Sequence, residues 1–283
     1  MILQVTPFSK INLGLEILRK RQDGFHDINT VFLPITLTDK ITIEHADGLT
    51  VECSEIHIPQ EDNLVYKAAR MLQTRSNISR GAKIQLHKKI PTGAGLGGGS
   101  SDAAFTLIGL CTLWDISPGK DTLHDIAAEL GSDVPFFLLG CPAIGSGRGE
   151  ILQPLSFHLP YAILIVYPMI HISTAIAYSQ VKLYEDTTDY EMLFSEEVTP
   201  EILRAKVVNS FEESAFEKHP ELLEIKNKFY HCGSVFSLMS GSGSSIYGFF
   251  ETDEMAKQAA EQFPEYQTFL CKQHGVQLTR IGE

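Results

Sequence analysis

Residues 88–104 read KKIPTGAGLGGGSSDAA, and five of the seven positions 93–99 are glycine. Glycine loses more conformational freedom on folding than any other residue, so such a cluster needs a compensating reason. Two are common: a flexible linker, or a loop where the backbone itself must touch a ligand. The flanks decide between them. Upstream, AKIQLHKKI (82–90) alternates like a strand; downstream, Ala103, Ala104, Leu107, Leu110, Cys111 and Trp114 recur with a helical period. The SSD at 100–102 is a good N-cap sequence, which predicts a helix opening immediately after it. Glycines that join a strand to the first turn of a core-packed helix form a ligand loop.

The 283 residues suffice for one large domain or two of ordinary size. A composition 43% hydrophobic and 20% charged is that of an ordinary globular protein. The net charge of -12 argues against bulk attraction to nucleic acid or an anionic membrane. A local cluster of amides and cations can still draw a phosphorylated small molecule. The opening MILQVTPFSKINLG lacks the basic start and apolar core of a signal peptide. The longest apolar run, YAILIVYPMI (161–170), is too short to cross a bilayer and reads as a buried strand. The 5 cysteines are scattered with no metal-ligand spacing, so free thiols in a reducing, cytoplasmic setting are expected.

Strands are expected at 11–18 and 30–37 across the turn QDG (22–24), then at DKITIEH (39–45) and LTVECS (49–54). Helices are expected over EDNLVYKAARMLQTR (61–75) and at 122–130, followed by GSDVPFF (131–137) and the glycine-rich turn AIGSGRGEI (143–151). The pattern restarts near residue 155, dividing the chain into 1–155 and 156–283. The acidic, weakly periodic 185–201 reads as a solvated variable segment. SVFSLMS, SGSGSS and SIYGFF read as strand, turn and strand, with a helix at 253–263 and a last strand VQLTRI (276–281). The class is α+β.

Three templates compete for the glycine loop. The P-loop fails because Gly99 stands where lysine is required. The dinucleotide fingerprint is met literally by Gly93, Gly95 and Gly98. Its acidic partner about 20 positions on must end a strand, and Asp115 ends a helix. The third template fits. PTGAGLGGGSSDAA (91–104) resembles the nucleotide-binding motif of the GHMP kinases, the superfamily of galactokinase, homoserine kinase, mevalonate kinase and phosphomevalonate kinase. PFSKINLGL (7–15) resembles its N-terminal motif, and LMSGSGSSIYGFF (238–250) its second Gly/Ser loop.

That resemblance implies a two-lobed GHMP-kinase fold, with a β-rich N-terminal lobe carrying the phosphate-binding loop and helix, and a ferredoxin-like α+β C-terminal lobe. It implies ATP and Mg²⁺. Pro91, Gly93, Ala94, Gly95, Leu96, Gly97, Gly98, Gly99, Ser100, Ser101 and Asp102 would surround the triphosphate, with Ser100 or Ser101 a candidate to reach Mg²⁺ or a phosphate oxygen. Asn63 and Lys88 match positions near adenine and ribose; on local grounds they read equally as a helix N-cap and a solvated edge-strand lysine.

SKINLGL, RQDGFH, EDNL, GLGGGSSDAA and LGSDVPFF together are most similar to the branch that phosphorylates the 2-hydroxyl of a cytidyl-methylerythritol diphosphate ester in non-mevalonate isoprenoid synthesis. The implied catalytic pair is Lys10 and Asp133, Asp133 accepting the hydroxyl proton and Lys10 orienting it and stabilising developing charge. Read singly, Asp133 before Val-Pro is a turn residue and Lys10 an exposed strand lysine. Asn12, Phe25, His26, Phe32, Thr174 and Tyr178 are the implied substrate contacts, with aromatic rings around the cytosine. Tyrosine is more usual in that branch at positions 25 and 32, so a hydrogen bond through that hydroxyl is absent here. Arg148, from its chemistry alone, could meet the substrate diphosphate. A monomer or weak homodimer is expected. Three rivals stay open at this level: a kinase of the homoserine or mevalonate type, a nucleotide-binding regulator without catalysis, and a structural α+β protein without ligand.

Overall fold

The computed structural model describes residues 2–54, 59–184, 187–196 and 198–275. After the short β1 (Ile2–Val5), β2 (Phe8–Lys20) and β3 (His26–Thr38) form a long antiparallel hairpin. β4 (Lys40–Ala46) and β5 (Leu49–Cys53) follow, then α1 (Leu64–Arg75) and β6 (Gly81–His87). The glycine loop leads into α2 (Gly98–Trp114), and α3 (Lys120–Leu130) and α4 (Val134–Leu139) precede the hairpin β7 (Ala143–Ser146) and β8 (Ile151–Pro154). Beyond β9 (Ala162–Tyr167) come α5 (Thr174–Gln180), α6 (Tyr190–Ser195), α7 (Pro200–Lys206), α8 (Glu212–Lys218) and α9 (Pro220–His231). β10 (Phe236–Met239), β11 (Ile246–Phe250), α10 (Asp253–Ala260) and β12 (Gln267–Cys271) complete the described chain.

The described strands make three four-stranded sheets, ordered β1-β4-β6-β5, β2-β3-β7-β8 and β10-β11-β9-β12. The first sheet lies against α1 and α2 around Trp114, whose Nε1 donates to the Gly81 carbonyl at 3.2 Å, and α3 packs on those helices. The third is antiparallel throughout, with β9 and β11 in its middle, the arrangement of a ferredoxin-like unit. Leu164 and Val166 face the helices α9 and α10, while Ile163 and Ile165 meet Ile11, Leu13 and Leu33 of the β2–β3 hairpin. A strand covered on both faces needs apolar residues at every position, which explains the unbroken run AILIVY.

Two expectations are corrected, and two elements are added that the sequence reading left unassigned. The helix after the glycines starts at Gly98, two residues before SSD, because Gly97 at φ 72° ends the loop and begins the helix without a side-chain cap. The GSDVPFF segment is largely the helix α4. A strand absent from the sequence reading, β12, covers the edge of β9; the expected last strand at 276–281 lies outside the described residues.

The second correction concerns the acidic segment, whose described part is not merely a solvated variable segment. Tyr190 is 1% exposed, and its hydroxyl occupies the space a side chain on Gly14 would need. Glu16 receives the Thr188 amide and hydroxyl at 3.1 and 2.6 Å and the Asn29 side-chain amide at 2.8 Å, which clasps the segment to β2. All five cysteines are unpaired, and no helix among the described residues is long and apolar enough to cross a membrane. Emptying the Tyr190 site should cost the several kcal/mol of a large-to-small core change. Tyr190→Ala is therefore expected to lower stability by about 3 kcal/mol or more in urea unfolding; an unmoved midpoint would restore the solvated reading.

Candidate active site

The Gly98, Gly99 and Ser100 amides have no carbonyl to bond within α2, because the first such bond is Ser101 N to Gly97 O at 2.9 Å. Gly93, Gly95 and Gly97 have φ of 68°, 79° and 72°, so the loop alternates through left-handed conformations that side chains resist. Gly95 passes the second Gly/Ser loop so closely that a Cβ would lie 2.0 Å from the Ser240 carbonyl oxygen. Ala94 and Leu96 alternate inward and are buried in the shared core. The result is a backbone surface ending in the positive pole of a helix, the chemistry of an anion site.

A cleft of about 1020 Å³ opens beside it, lined among others by Lys10, Asn12, Gly93, Gly95, Gly97, Asp133, Thr174 and Tyr178. Lys10 is 3% exposed, unlike a surface strand lysine. Its Nζ donates to Asn12 Oδ1 at 2.6 Å, faces Asp133 Oδ2 at 3.4 Å and lies 5.4 Å from the Phe32 ring centroid. Asn12 Nδ2 donates to Thr30 Oγ1 at 2.9 Å, and the Thr30 hydroxyl to the Gly14 carbonyl at 2.6 Å, so the amide orientation is fixed. Asp133 stands at the cap position of α4, yet its side chain makes no capping bond. It is held at the cleft wall by the proline-started helix and aims at Lys10.

The far end of the cleft is aromatic. His26 stacks on Tyr178 with centroids 5.0 Å apart, and Tyr178 meets Phe211 edge-on at 4.9 Å. Burial lowers His26 below its usual value, assisted by Lys20, so its ring is neutral near pH 7, with one donor and one acceptor nitrogen. Burial, with the Asp133 carboxylate second, pushes the Tyr178 hydroxyl up to about 12. Phe25 is 50% exposed at the mouth, with the Arg148 guanidinium 4.8 Å from its ring centroid. Its turn is laced by Arg21, which pairs with Asp23 at 2.9 Å and Asp27 at 2.9 Å. Phe32 is in the cleft floor but packed against Phe136, so it supports Lys10 rather than offering an open face.

Of the other residues singled out from sequence, Thr174 lines the cleft, while Asn63, Lys88, Ser100, Ser101 and Asp102 are not among the residues that line it. Asn63 is the N-cap of α1, accepting from Val65 N at 2.9 Å. Lys88 is no solvated lysine: it is buried between Asp39 and Asp102, the latter at 2.7 Å. Burial pushes the Asp102 carboxyl up to about 7, with Lys88 opposing. Ser101 Oγ is buried with no hydrogen-bond partner, and Ser100 is half-buried beside it. Thr174 Oγ1 lies 3.1 Å from Ser242 Oγ, tying α5 to the second Gly/Ser loop.

Sequence reasoning missed Thr30, Asp39, Ser240 and Tyr247. Ser240 Oγ donates to Gly95 O at 2.8 Å and accepts from Asn12 N at 3.2 Å, and Tyr247 Oη donates to Asn12 O at 3.0 Å. Only the Gly/Ser composition around Ser240 carried any signal. Gly95→Ala should abolish nucleotide binding and destabilise the fold by about 2 kcal/mol or more, through both φ strain and the Ser240 clash. Calorimetric titration with Mg·ATP checks it, and unimpaired binding would refute the reading of this contact.

Comparison with known proteins places this geometry. Residues 63–141 match the model "GHMP kinases N terminal domain" and residues 199–267 the model "GHMP kinases C terminal". A 4-diphosphocytidyl-2-C-methyl-D-erythritol kinase of Chlorobium phaeobacteroides (strain BS1) is 41% identical over 93% of this chain and 94% of its own. That of Thermodesulfovibrio yellowstonii is 39% identical over 94% and 95%. A crystal structure of 4-(cytidine 5'-diphospho)-2C-methyl-D-erythritol kinase superposes with a TM-score of 0.83 at 33% identity, covering 96% of this chain and 100% of its own. With a glycine loop, a buried lysine facing an aspartate and these relatives along nearly its whole length, the chain belongs to the 4-diphosphocytidyl-2-C-methyl-D-erythritol kinase family of the GHMP kinases.

Proposed function

We propose that this kinase transfers the γ-phosphoryl group of ATP to the 2-hydroxyl of 4-diphosphocytidyl-2-C-methyl-D-erythritol. One observation carries the reading: Lys10 Nζ and Asp133 Oδ2, 3.4 Å apart, stand in a single cleft with the glycine loop on one side and the aromatic cluster on the other. That order matches a substrate with a nucleobase at one end and an alcohol at the other. In this role Asp133 takes the hydroxyl proton as the oxygen attacks, and the Lys10 ammonium orients that oxygen and stabilises the charge developing on it. Asn12 fixes the lysine, and the loop amides hold the nucleotide's phosphates in line.

The nucleobase reading rests on Phe25, His26 and Tyr178. For cytosine to enter, the His26–Tyr178 stack opens or the base extends it, and neutral His26 reads the base edge. Arg148 lies close enough to Phe25 to reach a diphosphate at the mouth.

Among the described residues no group of three or more His, Cys, Asp or Glu forms a metal site. Mg²⁺ in phosphoryl transfer is ordinarily held by phosphates and one or two protein oxygens, and the hydroxyls of Ser100 and Ser101 at the start of α2 fit that sparse donor set. The ion would neutralise charge on the transferred phosphoryl group. We take the lobes to divide at 155/156, between β8 and β9, with the site complete in one protomer, monomeric or weakly dimeric. The unpaired cysteines favour a reducing cytoplasm.

The test is ADP release with Mg·ATP and purified protein, comparing the cytidyl ester with methylerythritol phosphate, mevalonate and homoserine. Turnover confined to the cytidyl ester is expected; turnover with another alcohol only would keep the phosphate loop and discard the nucleobase reading. Asp133→Ala should lower kcat by roughly 10²- to 10⁴-fold with Mg·ATP still bound, and wild-type turnover would remove Asp133 from the base role. Phe25→Ala should raise the KM for the cytidyl ester by roughly tenfold, the scale of one lost base stack, and leave that for ATP alone. A change confined to the ATP KM would put Phe25 in the wrong pocket.

A further inference from the structure

We propose that Asp39 and Lys88 are positioning residues for the nucleotide: together they fix the two ends of the phosphate loop, and Lys88 acts through the loop rather than by touching ATP. The proposal rests on the reading of that loop as the ATP phosphate site.

Asp39 sits between β3 and β4, and its side chain is wholly out of water. Its Oδ1 accepts from the Lys89 amide at 2.5 Å and the Ile90 amide at 2.8 Å, and its Oδ2 from Lys88 Nζ. Its own amide donates to the Pro7 carbonyl at 2.9 Å, one residue before the strand that carries Lys10. The same ammonium of Lys88 donates to Asp102 Oδ2 at 2.7 Å, in the second turn of α2. It also lies 3.1 Å from where a Cβ on Gly98, the first residue of that helix, would be. So residues 88–90, which enter the loop, and residues 98–102, which leave it, are joined through one buried cation, and Asp39 joins both to the strand of the catalytic lysine.

Stability alone does not account for the cluster. Burying two carboxylates and an ammonium costs their hydration, and well-packed apolar residues of the same volume generally do as well. Directed ionic hydrogen bonds supply fixed distances, which apolar packing supplies poorly. The middle of this glycine-rich loop is tied by Ser240 to Gly95 and by the Lys10 amide to Leu96, and the Asp39–Lys88–Asp102 cluster ties its two ends. Lys88, engaged on both sides by carboxylates beneath the loop, has its ammonium committed to the protein.

The experiment is a double-mutant cycle on the full chain with Asp39→Asn, Lys88→Met and the pair, read as KM for ATP, KM for the cytidyl ester, and melting temperature. Each single variant is expected to raise the ATP KM roughly ten- to a hundredfold, as for a misplaced site, with the ester KM within about twofold and the pair no worse than the worse single variant. A general loss of folding would move both KM values together. A direct Lys88–ATP contact would make the two effects add, and either that or an unchanged ATP KM in Asp39→Asn overturns the proposal. Should a variant fail to fold, hydrogen exchange of the wild type decides. Amides 88–100 are expected to be protected before ATP is added, and free exchange that ATP then suppresses overturns the proposal. Wild type that fails to bind ATP at all would instead bring down the phosphate-site reading itself.

Discussion

The backbone of Gly95 and the carbonyl of Ser240 meet with no room for a side chain between them, and the arrangement of the site follows from that contact. Ser240 closes it from the other side, donating to Gly95 O and receiving the Asn12 amide. Asn12 in turn sets the Lys10 ammonium, which faces Asp133. The glycine loop, the strand that carries Lys10 and the ferredoxin-like sheet are thus held by a relay of polar contacts. Because the hairpin β2–β3 packs its apolar face directly on that sheet, no slack exists at the lobe junction to let one partner drift.

Electrostatics divide the molecule in the same way. The chain carries a net charge of -12, yet the charged side chains lining the cleft are Lys10, Lys20 and Arg148 against a single carboxylate, Asp133. At physiological ionic strength the screening length is about 8 Å, so an anionic ligand inside the cleft responds to these groups and the loop amides more than to the acidic exterior. Holding Lys10 out of water is costly, and the Asn12 carbonyl, the Asp133 carboxylate and the Phe32 ring offset that cost together.

Much of this was legible in the sequence because it is written locally. Strand alternation, the stripe from Ala103 to Trp114, the glycine positions and the order of motifs each depend on neighbours within a turn or two. What stayed hidden depends on pairs far apart in the chain: Asp39 with Lys88 across 49 residues, and Asn12 with Ser240 across 228. Gly14 looks like a permissive strand residue until Tyr190 is seen to fill its missing side chain. The misplaced start of α2 has a different cause. Side-chain caps are the common way to open a helix, and Gly97 opens this one through its backbone conformation. The serines thereby fall inside the first turns of the helix, Ser101 wholly buried and Ser100 half-buried.

The single tryptophan gives the enzyme an optical property of its own. Trp114 is the last residue of α2, at the opposite end from the glycine loop; 17 residues of helix span about 25 Å. Its indole is wholly shielded and bonded to the Gly81 carbonyl in the first sheet. Tryptophan emission therefore reports the integrity of that sheet and the seating of the helix that follows the glycine loop, while the aromatic end of the cleft, built from phenylalanine, tyrosine and histidine, is silent in the same channel.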